Sequence, residues 1–263
     1  MHIQMNADSI KKLAAELGAD LVGIAPKSRW EALPAAQNPL TLMPDCQSVI
    51  VVGRKILRGA FRGVEEGTNF GSTYHAYGWV WHHGQFLLRT VHNLACEIEK
   101  NGFEAMPVLN LDPNAAVIPD YQELARLAGL GVHGRGGFFL TPRYGHRQRF
   151  GLVLTPLKLS GDPVMELDFC RNCGACLKAC PLHALKDTGC ELFELDHVLC
   201  ANCQNGAGDA GKDRYAASCG RACMVALEGK VENQFHHRFR KRSVWERDLE
   251  NRVTVRPLEQ KEN

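Results

Sequence analysis

The residues with the most definite chemistry are four cysteines in the run Cys170-Arg-Asn-Cys173-Gly-Ala-Cys176-Leu-Lys-Ala-Cys180-Pro181. This C-x2-C-x2-C-x3-C-P spacing wraps iron-sulfur cubes, with three thiolates on one cluster and the fourth handed to a second. The short steps let successive thiolates converge while the backbone amides between them turn inward. Gly174 relieves the turn, and Pro181 stops the helix that carries the last ligands. A second set follows as Cys200-x2-Cys203, fifteen residues, then Cys219-x3-Cys223. Two 4Fe-4S clusters are therefore expected. By the crossover rule, Cys170, Cys173, Cys176 and Cys223 hold one, and Cys180, Cys200, Cys203 and Cys219 hold the other. Cys190 sits between the halves and could replace one of these ligands.

Zinc and disulfides are the competing uses of these thiols. Zinc usually takes paired C-x2-C knuckles rather than a triple step ending in Cys-Pro. Disulfides need an oxidising compartment, and Met1 to Asp20 contains no basic stretch followed by an apolar one. Cys46 and Cys96 lie far from the run and read as small buried hydrophobes. Nine of the eleven cysteines fall between Cys170 and Cys223. The 263 residues thus divide into an α/β domain over 1–160, a small metal-held domain over 161–229 and a charged tail over 230–263. The net charge of +2 argues neither for nor against a polyanionic partner. No run of eighteen apolar residues occurs, so no membrane span is expected, and the reduced cytoplasm is the expected home.

The elements that must position the cysteines come earlier in the chain. Asp8 or Ser9 can cap a helix with the apolar face Ile10, Leu13, Ala14 and Leu17, which Gly18 stops. Leu21 to Ala25 and Ser48 to Gly53 read as buried strands, the second continuous and β-branched. Arg54 to Thr73 is glycine-rich and polar, hence loop. A long helix is expected over Trp79 to Asn101, a strand over Met106 to Leu109 and a helix over Tyr121 to Leu130. Strands at Phe138 to Leu140 and Phe150 to Thr155 are joined through a turn at Pro142 to Gly145. In the tail, Arg238, Arg240, Lys241 and Arg242 cluster as a solvated or docking segment.

Two further stretches could do chemistry. Gly129-Leu-Gly131-Val-His-Gly134-Arg-Gly-Gly137 contains a formal G-x-G-x-x-G, but it follows a helix and leads into a strand, the reverse of the dinucleotide arrangement. Its glycines offer backbone that can approach a flat or bulky cofactor and expose amide donors. Tyr74-His75-Ala-Tyr77-Gly-Trp79-Val-Trp81-His82-His83 is dense in aromatic and imidazole groups. It suits either a cofactor wall with proton donors or a helix start whose aromatics enter the core.

Taken in order, several segments resemble the reductive dehalogenases and epoxyqueuosine reductases. They are Leu13 to Ala25, Ala128-Gly-Leu-Gly-Val-His-Gly-Arg-Gly-Gly137, Leu140-Thr-Pro-Arg-Tyr-Gly145 and the cysteine run. Ser72-Thr-Tyr74 with Gly78 and Trp81-His82 is similar to a looser motif of the same superfamily. The likeness covers roughly residues 9–225. It implies an α/β (α+β) fold, with a nitroreductase-like, corrinoid-binding-type domain followed by a ferredoxin-like two-cluster domain. It further implies a cytoplasmic reductase passing low-potential electrons from a ferredoxin or flavodoxin, through two 4Fe-4S clusters, to a corrinoid (cobalamin). The cofactor would then reduce a small organic or modified-nucleoside substrate. On this resemblance Gly131, His133, Gly134 and Gly136 bind the cofactor, Tyr74 or Tyr77 donates a proton, and Arg135 raises its acidity or stabilises a developing anion. No twin-arginine signal is seen, so a respiratory role at a membrane is not expected. Epoxyqueuosine reductases continue into helical repeats that help to bind tRNA, whereas this chain ends soon after the clusters, so tRNA is not the expected partner. The other reading is a corrinoid-free 4Fe-4S electron-transfer protein whose α/β domain is a docking scaffold.

Overall fold

Two eight-residue strands form the centre of a four-stranded sheet in the computed structural model, which describes residues 5–63, 71–109, 114–204, 213–236 and 243–258. The strands are β1 (Leu21–Pro26), β2 (Ser48–Lys55), β3 (Met106–Val108) and β4 (Gln148–Thr155), in the order β1-β2-β4-β3. Every pairing is antiparallel, with Ile50 opposite both Ile24 and Val153. β2 is buried from Ser48 to Gly53, as its unbroken apolar run requires.

Helices cover this sheet. From α1 (Ala7–Glu16) and α2 (Leu88–Lys100), Ile10, Ala14, Val91, Leu94 and Ile98 pack with Ile24, Ile50, Val52 and Val153 into the main apolar core. On the opposite face of β1 lies Gly23. A Cβ there would come within 2.5 Å of the Ala128 carbonyl, just after α3 (Tyr121–Leu127), so glycine is what lets the strand and the helix end approach. An antiparallel sheet with helices packed on it is an α+β architecture.

The helix ends show local chemistry at work. α1 is capped by Asn6 rather than Asp8 or Ser9: Asn6 accepts from the Ser9 amide, and Ser9 Oγ accepts from the Asn6 amide, a reciprocal capping box. Gly18 stops α1 with φ +97°, and Ala19 N–H reaches back to Ala14 C=O at 2.9 Å. The helix expected from Trp79 begins earlier, because Gly71–Val80 and His82–Leu87 are wound as π-helix before α2. Gly71 to Thr73 is therefore helical, not loop. Gly78 makes room within this winding, since a Cβ there would lie 2.5 Å from the Tyr74 ring.

Contacts group the chain into two units, each assembled from separate stretches: Met1–Ile56, Val80–Val132 and Gln148–Glu166 in the sheet unit, and Leu57–Trp79, His133–Arg147 and Leu167–Asn263 in the cysteine unit. The cysteine segment thus gathers residues from before position 160. Hydrogen bonds show why: Phe193 N–H donates to Arg135 C=O at 2.7 Å, and Arg58 pairs with Glu228 at 3.3 Å. The cysteine unit contains α4 (Ala175–Ala179), α5 (His197–Ala201) and α6 (Ser218–Leu227), with α4 packed on α6. β5 (Leu185–Lys186) pairs with β6 (Glu194–Leu195). The expected tail holds a hairpin of β7 (Ser243–Arg247) and β8 (Val253–Pro257), and Val253 bridges to Cys203. Its basic cluster, Arg238 to Arg242, lies outside the described residues.

Candidate iron-sulfur centre

Local backbone conformation brings the first cysteines together. Asn172 and Gly174 both stand at φ 58°, a left-handed conformation that asparagine tolerates and glycine adopts freely. The chain therefore wraps back on itself between Cys170 and Cys176. α4 follows at once and ends at Cys180, where Pro181 prevents its continuation.

Cys170, Cys173 and Cys176 line one recess together with Cys223, which α6 contributes from 47 residues beyond Cys176. The remaining wall includes Gly134, Arg135, Gly136, Phe138, Phe169 and Phe193, so the recess is largely apolar. Burial and the neighbouring thiols push Cys176 up to about 11 and Cys223 well above its ordinary value. Four thiolates gathered in an apolar pocket repel one another, and a multinuclear iron core is a counter-charge that relieves this. The donor set and the recess both fit a cube. Cys190 is exposed and is not part of this wall.

The other four cysteines lie along α4, α5 and α6. Cys180 accepts the Ala184 amide at 3.3 Å, and it packs with buried Cys200 against Ala184, Leu195 and Leu199. Cys203 follows one turn later, its amide on the Cys200 carbonyl at 3.1 Å. Cys219 is buried at the start of α6. His146 supports that helix: its ring lies buried against Phe138, and its Nε2 is 2.8 Å from the Gly220 carbonyl. Among the described residues no three His, Cys, Asp or Glu side chains gather as a single metal ion would require.

The residues expected to hold a cofactor or move protons are distributed differently from that expectation. Tyr74 is fully buried, tilted against Phe61 at 4.8 Å between ring centroids, and donates to Asp213 Oδ2 at 2.7 Å. Tyr77 is exposed. Arg135 donates to Asp187 at 2.7 Å and to the Cys190 carbonyl at 3.3 Å while stacking on Phe193, so these groups occupy its guanidinium rather than a tyrosine. Gly134 and Gly136 sit on the cysteine recess, and the space beside them is filled by the chain's own atoms. A Cβ on Gly134 would lie 2.7 Å from Leu140, and one on Gly136 would lie 2.7 Å from Cys176 Sγ. His133 packs edge-on to Phe139, and Gly131 is buried in the sheet unit.

The sequence reading did not single out Asp213 or Arg214. Both lie in the insertion between Cys203 and Cys219, and only the capping pattern of Asp213 ahead of the turn Arg214–Ala216 marked the place. Cys46 matches its bland reading: it is buried, its thiol lies 3.4 Å from the Ser48 carbonyl, and burial pushes it up to about 11.

The model of a 4Fe-4S binding domain matches residues 161–182. The chain is 33% identical over 102 residues to a tetrachloroethene reductive dehalogenase of Desulfitobacterium hafniense, covering 38% of this chain and 17% of that protein. It is 28% identical over 171 residues to an epoxyqueuosine reductase of Synechocystis sp., covering 65% and 55%. Among solved structures, a catabolic reductive dehalogenase matches with a TM-score of 0.59 at 21% identity, over 87% of this chain and 32% of that one. The epoxyqueuosine reductase of Streptococcus thermophilus matches with a TM-score of 0.53 at 20% identity, over 71% and 55%. The chain thus spans a fraction of the length of these curated relatives. In sequence and fold the chain is thus similar to reductive dehalogenases and epoxyqueuosine reductases, and it carries a 4Fe-4S segment.

Proposed function

We propose that the chain is an iron-sulfur reductase that takes low-potential electrons from a ferredoxin or flavodoxin in the cytoplasm and passes them through two 4Fe-4S clusters. The observation that carries this is the single recess lined by Cys170, Cys173, Cys176 and Cys223. Cys180, Cys200, Cys203 and Cys219 would hold the second cube. Such clusters supply one-electron transfer, at potentials set by charge, hydrogen bonds to sulfur and exposure. The chain's own residues position the thiols, hold water away with Phe138, Phe169 and Phe193, and donate amides such as that of Ala184 to sulfur. Among the described residues no helix is long and apolar enough to cross a membrane.

A corrinoid is the acceptor suggested by the relatives, one of which is a reductive dehalogenase whose structure suggests a mechanism for B12-dependent dehalogenation. It would serve reduction of a small organic or modified-nucleoside substrate. Gly134 and Gly136 do not form a cradle for it, because their space is occupied by Leu140 and Cys176, and Tyr74 is enclosed with Asp213. This packing favours the second reading, a corrinoid-free electron-transfer protein.

Anaerobic purification from a corrinoid-supplied host, with iron, sulfide and cobalt measured together, tests both readings. About eight irons per chain with stoichiometric cobalt support the corrinoid reductase, and about eight irons without cobalt support the carrier. About four irons in the fully reconstituted chain would break the two-cluster assignment.

A further inference from the structure

The stretch after residue 230 reads in the sequence as a charged tail, and the proposed electron path gives it no role. Its β7–β8 hairpin is closed by the turn Asp248 to Arg252. Asp248 Oδ1 accepts the amides of Glu250 at 3.0 Å and Arg252 at 2.8 Å, Arg252 Nε donates to Asp248 Oδ2 at 3.0 Å, and Asn251 takes a left-handed φ of 61°. Across the strands Arg256 Nε donates to Glu246 Oε1 at 2.7 Å. These are exposed bonds that contribute little in water, and a lone two-stranded ribbon is marginal at best. The hairpin therefore needs an anchor on the body of its unit.

Val253 is that anchor. It is 1% exposed and is the one buried side chain among those described in the hairpin. Its amide donates to the Asn202 carbonyl at 3.2 Å, and its backbone bridges in parallel to Cys203. Side chains of residues paired in this way lie on one face with their Cβ atoms about 5 Å apart, so the Val253 isopropyl group stands beside the Cys203 thiol. Cys200, Cys203 and Cys219 are buried, whereas Cys170, Cys173 and Cys223 are half-buried around the first recess. The second set of thiols is thus the better covered one, and the hairpin supplies part of that cover at Cys203.

We propose that the β7–β8 hairpin, seated by Val253, is a strap that keeps water and dioxygen from the cluster held by Cys180, Cys200, Cys203 and Cys219. Dioxygen takes one electron from a cube it can reach and becomes superoxide, and the over-oxidised cube releases iron. Close-packed side chains leave no path of that size. This rests on the two-cluster proposal above and adds to it a protecting element for one cube. Val253 acts as a covering residue, not as a ligand.

The test uses the full chain, reconstituted anaerobically with iron counted and then exposed to air. Thiols freed as iron is lost are alkylated at intervals and mapped by mass spectrometry. In Val253→Asn, which puts an unpaired amide where the isopropyl group packed, Cys200 and Cys203 become labelled about tenfold faster than in wild type, while Cys170 and Cys173 keep their rate. Val253→Ile retains an apolar cover and stays close to wild type. If about eight irons are bound but Val253→Asn labels at the wild-type rate, or both sets of thiols speed up equally, the strap is overturned and the two clusters stand. If Val253→Asn does not take up iron, Asp248→Ala decides, since it loosens the closing turn: selectively faster labelling of Cys200 and Cys203 supports the strap, and an unchanged or uniform rate overturns it. Wild-type chain with only about four irons would overturn the two-cluster proposal and this inference with it.

Discussion

The sheet unit and the cysteine unit are held together by different means. In the sheet unit Ile10, Ile24, Ile50, Val91, Leu94, Ile98 and Val153 are fully buried in one cluster around long antiparallel pairings. Each such side chain contributes about 1.5–3 kcal/mol on burial, so this unit carries its own driving force. The cysteine unit has an aromatic patch of Phe61, Tyr74, Phe138 and His146. Its thiols, however, sit on or next to two five-residue helices and one of ten residues, beside two-residue strands. Helices shorter than about 12 residues are marginal alone. What the first unit obtains from apolar area, the second must obtain in large part from binding iron.

Removing iron should separate the two most sharply. On chelation under reducing conditions, amides of α4 and α5 are expected to lose hydrogen-exchange protection while β2 and β4 keep theirs. Equal loss in both units would show that the contrast is false. The next effect runs the other way: Leu94→Ala should lower stability by about 2–5 kcal/mol, measured by urea denaturation, with iron content unchanged. A Leu94→Ala chain that lost its iron in proportion would mean that the two units are not energetically distinct.

A pH effect is expected in the sheet unit, besides that of buried His146 in the cysteine unit, which burial likewise holds down to about 4. His82 is buried, its Nε2–H donates to the Lys55 carbonyl at 2.8 Å, and its Nδ1 has no hydrogen-bond partner among the described residues. Burial holds this imidazole down to about 4, against about 6.5 when unfolded. The stability associated with the neutral ring is therefore full above about pH 6.5 and is lost as pH falls toward about 4, on the order of 3 kcal/mol in all. Denaturation midpoints at pH 7 and pH 5 should differ less in His82→Gln than in wild type. An unchanged gap would assign the acid sensitivity elsewhere. The smallest effect is expected of Tyr74→Phe, which removes the bond to Asp213 and should cost about 1–3 kcal/mol without loss of iron. A redox defect in Tyr74→Phe with stability intact would instead return Tyr74 to the role of proton donor.

Much of the architecture is legible in local pattern. The run Ser48 to Gly53, the face Val91-Leu94-Ile98 and the stop at Gly18 each carry a short-range signal, and each stands where that signal puts it. The misreadings are of kinds that local pattern cannot see. The π-winding over Gly71–Val80 depends on Gly78 giving way to the Tyr74 ring, and the hairpin of β7 and β8 pairs residues in what reads as a charged tail. Asn6 as cap of α1 was passed over because Asp8 and Ser9 carry the same chemistry two and three residues later.

By itself the sequence determined the ligand type and the local wrap. Cysteine spacing, Asn172 and Gly174 at left-handed φ, and Pro181 act within a few residues, where chain geometry leaves few alternatives. Only the tertiary structure decided that Gly134 and Gly136 face thiols and that Tyr74 is enclosed by Phe61 and Asp213. These are contacts between residues tens to more than a hundred positions apart. They are set by which buried surfaces fit together, a property that no single stretch of the chain carries.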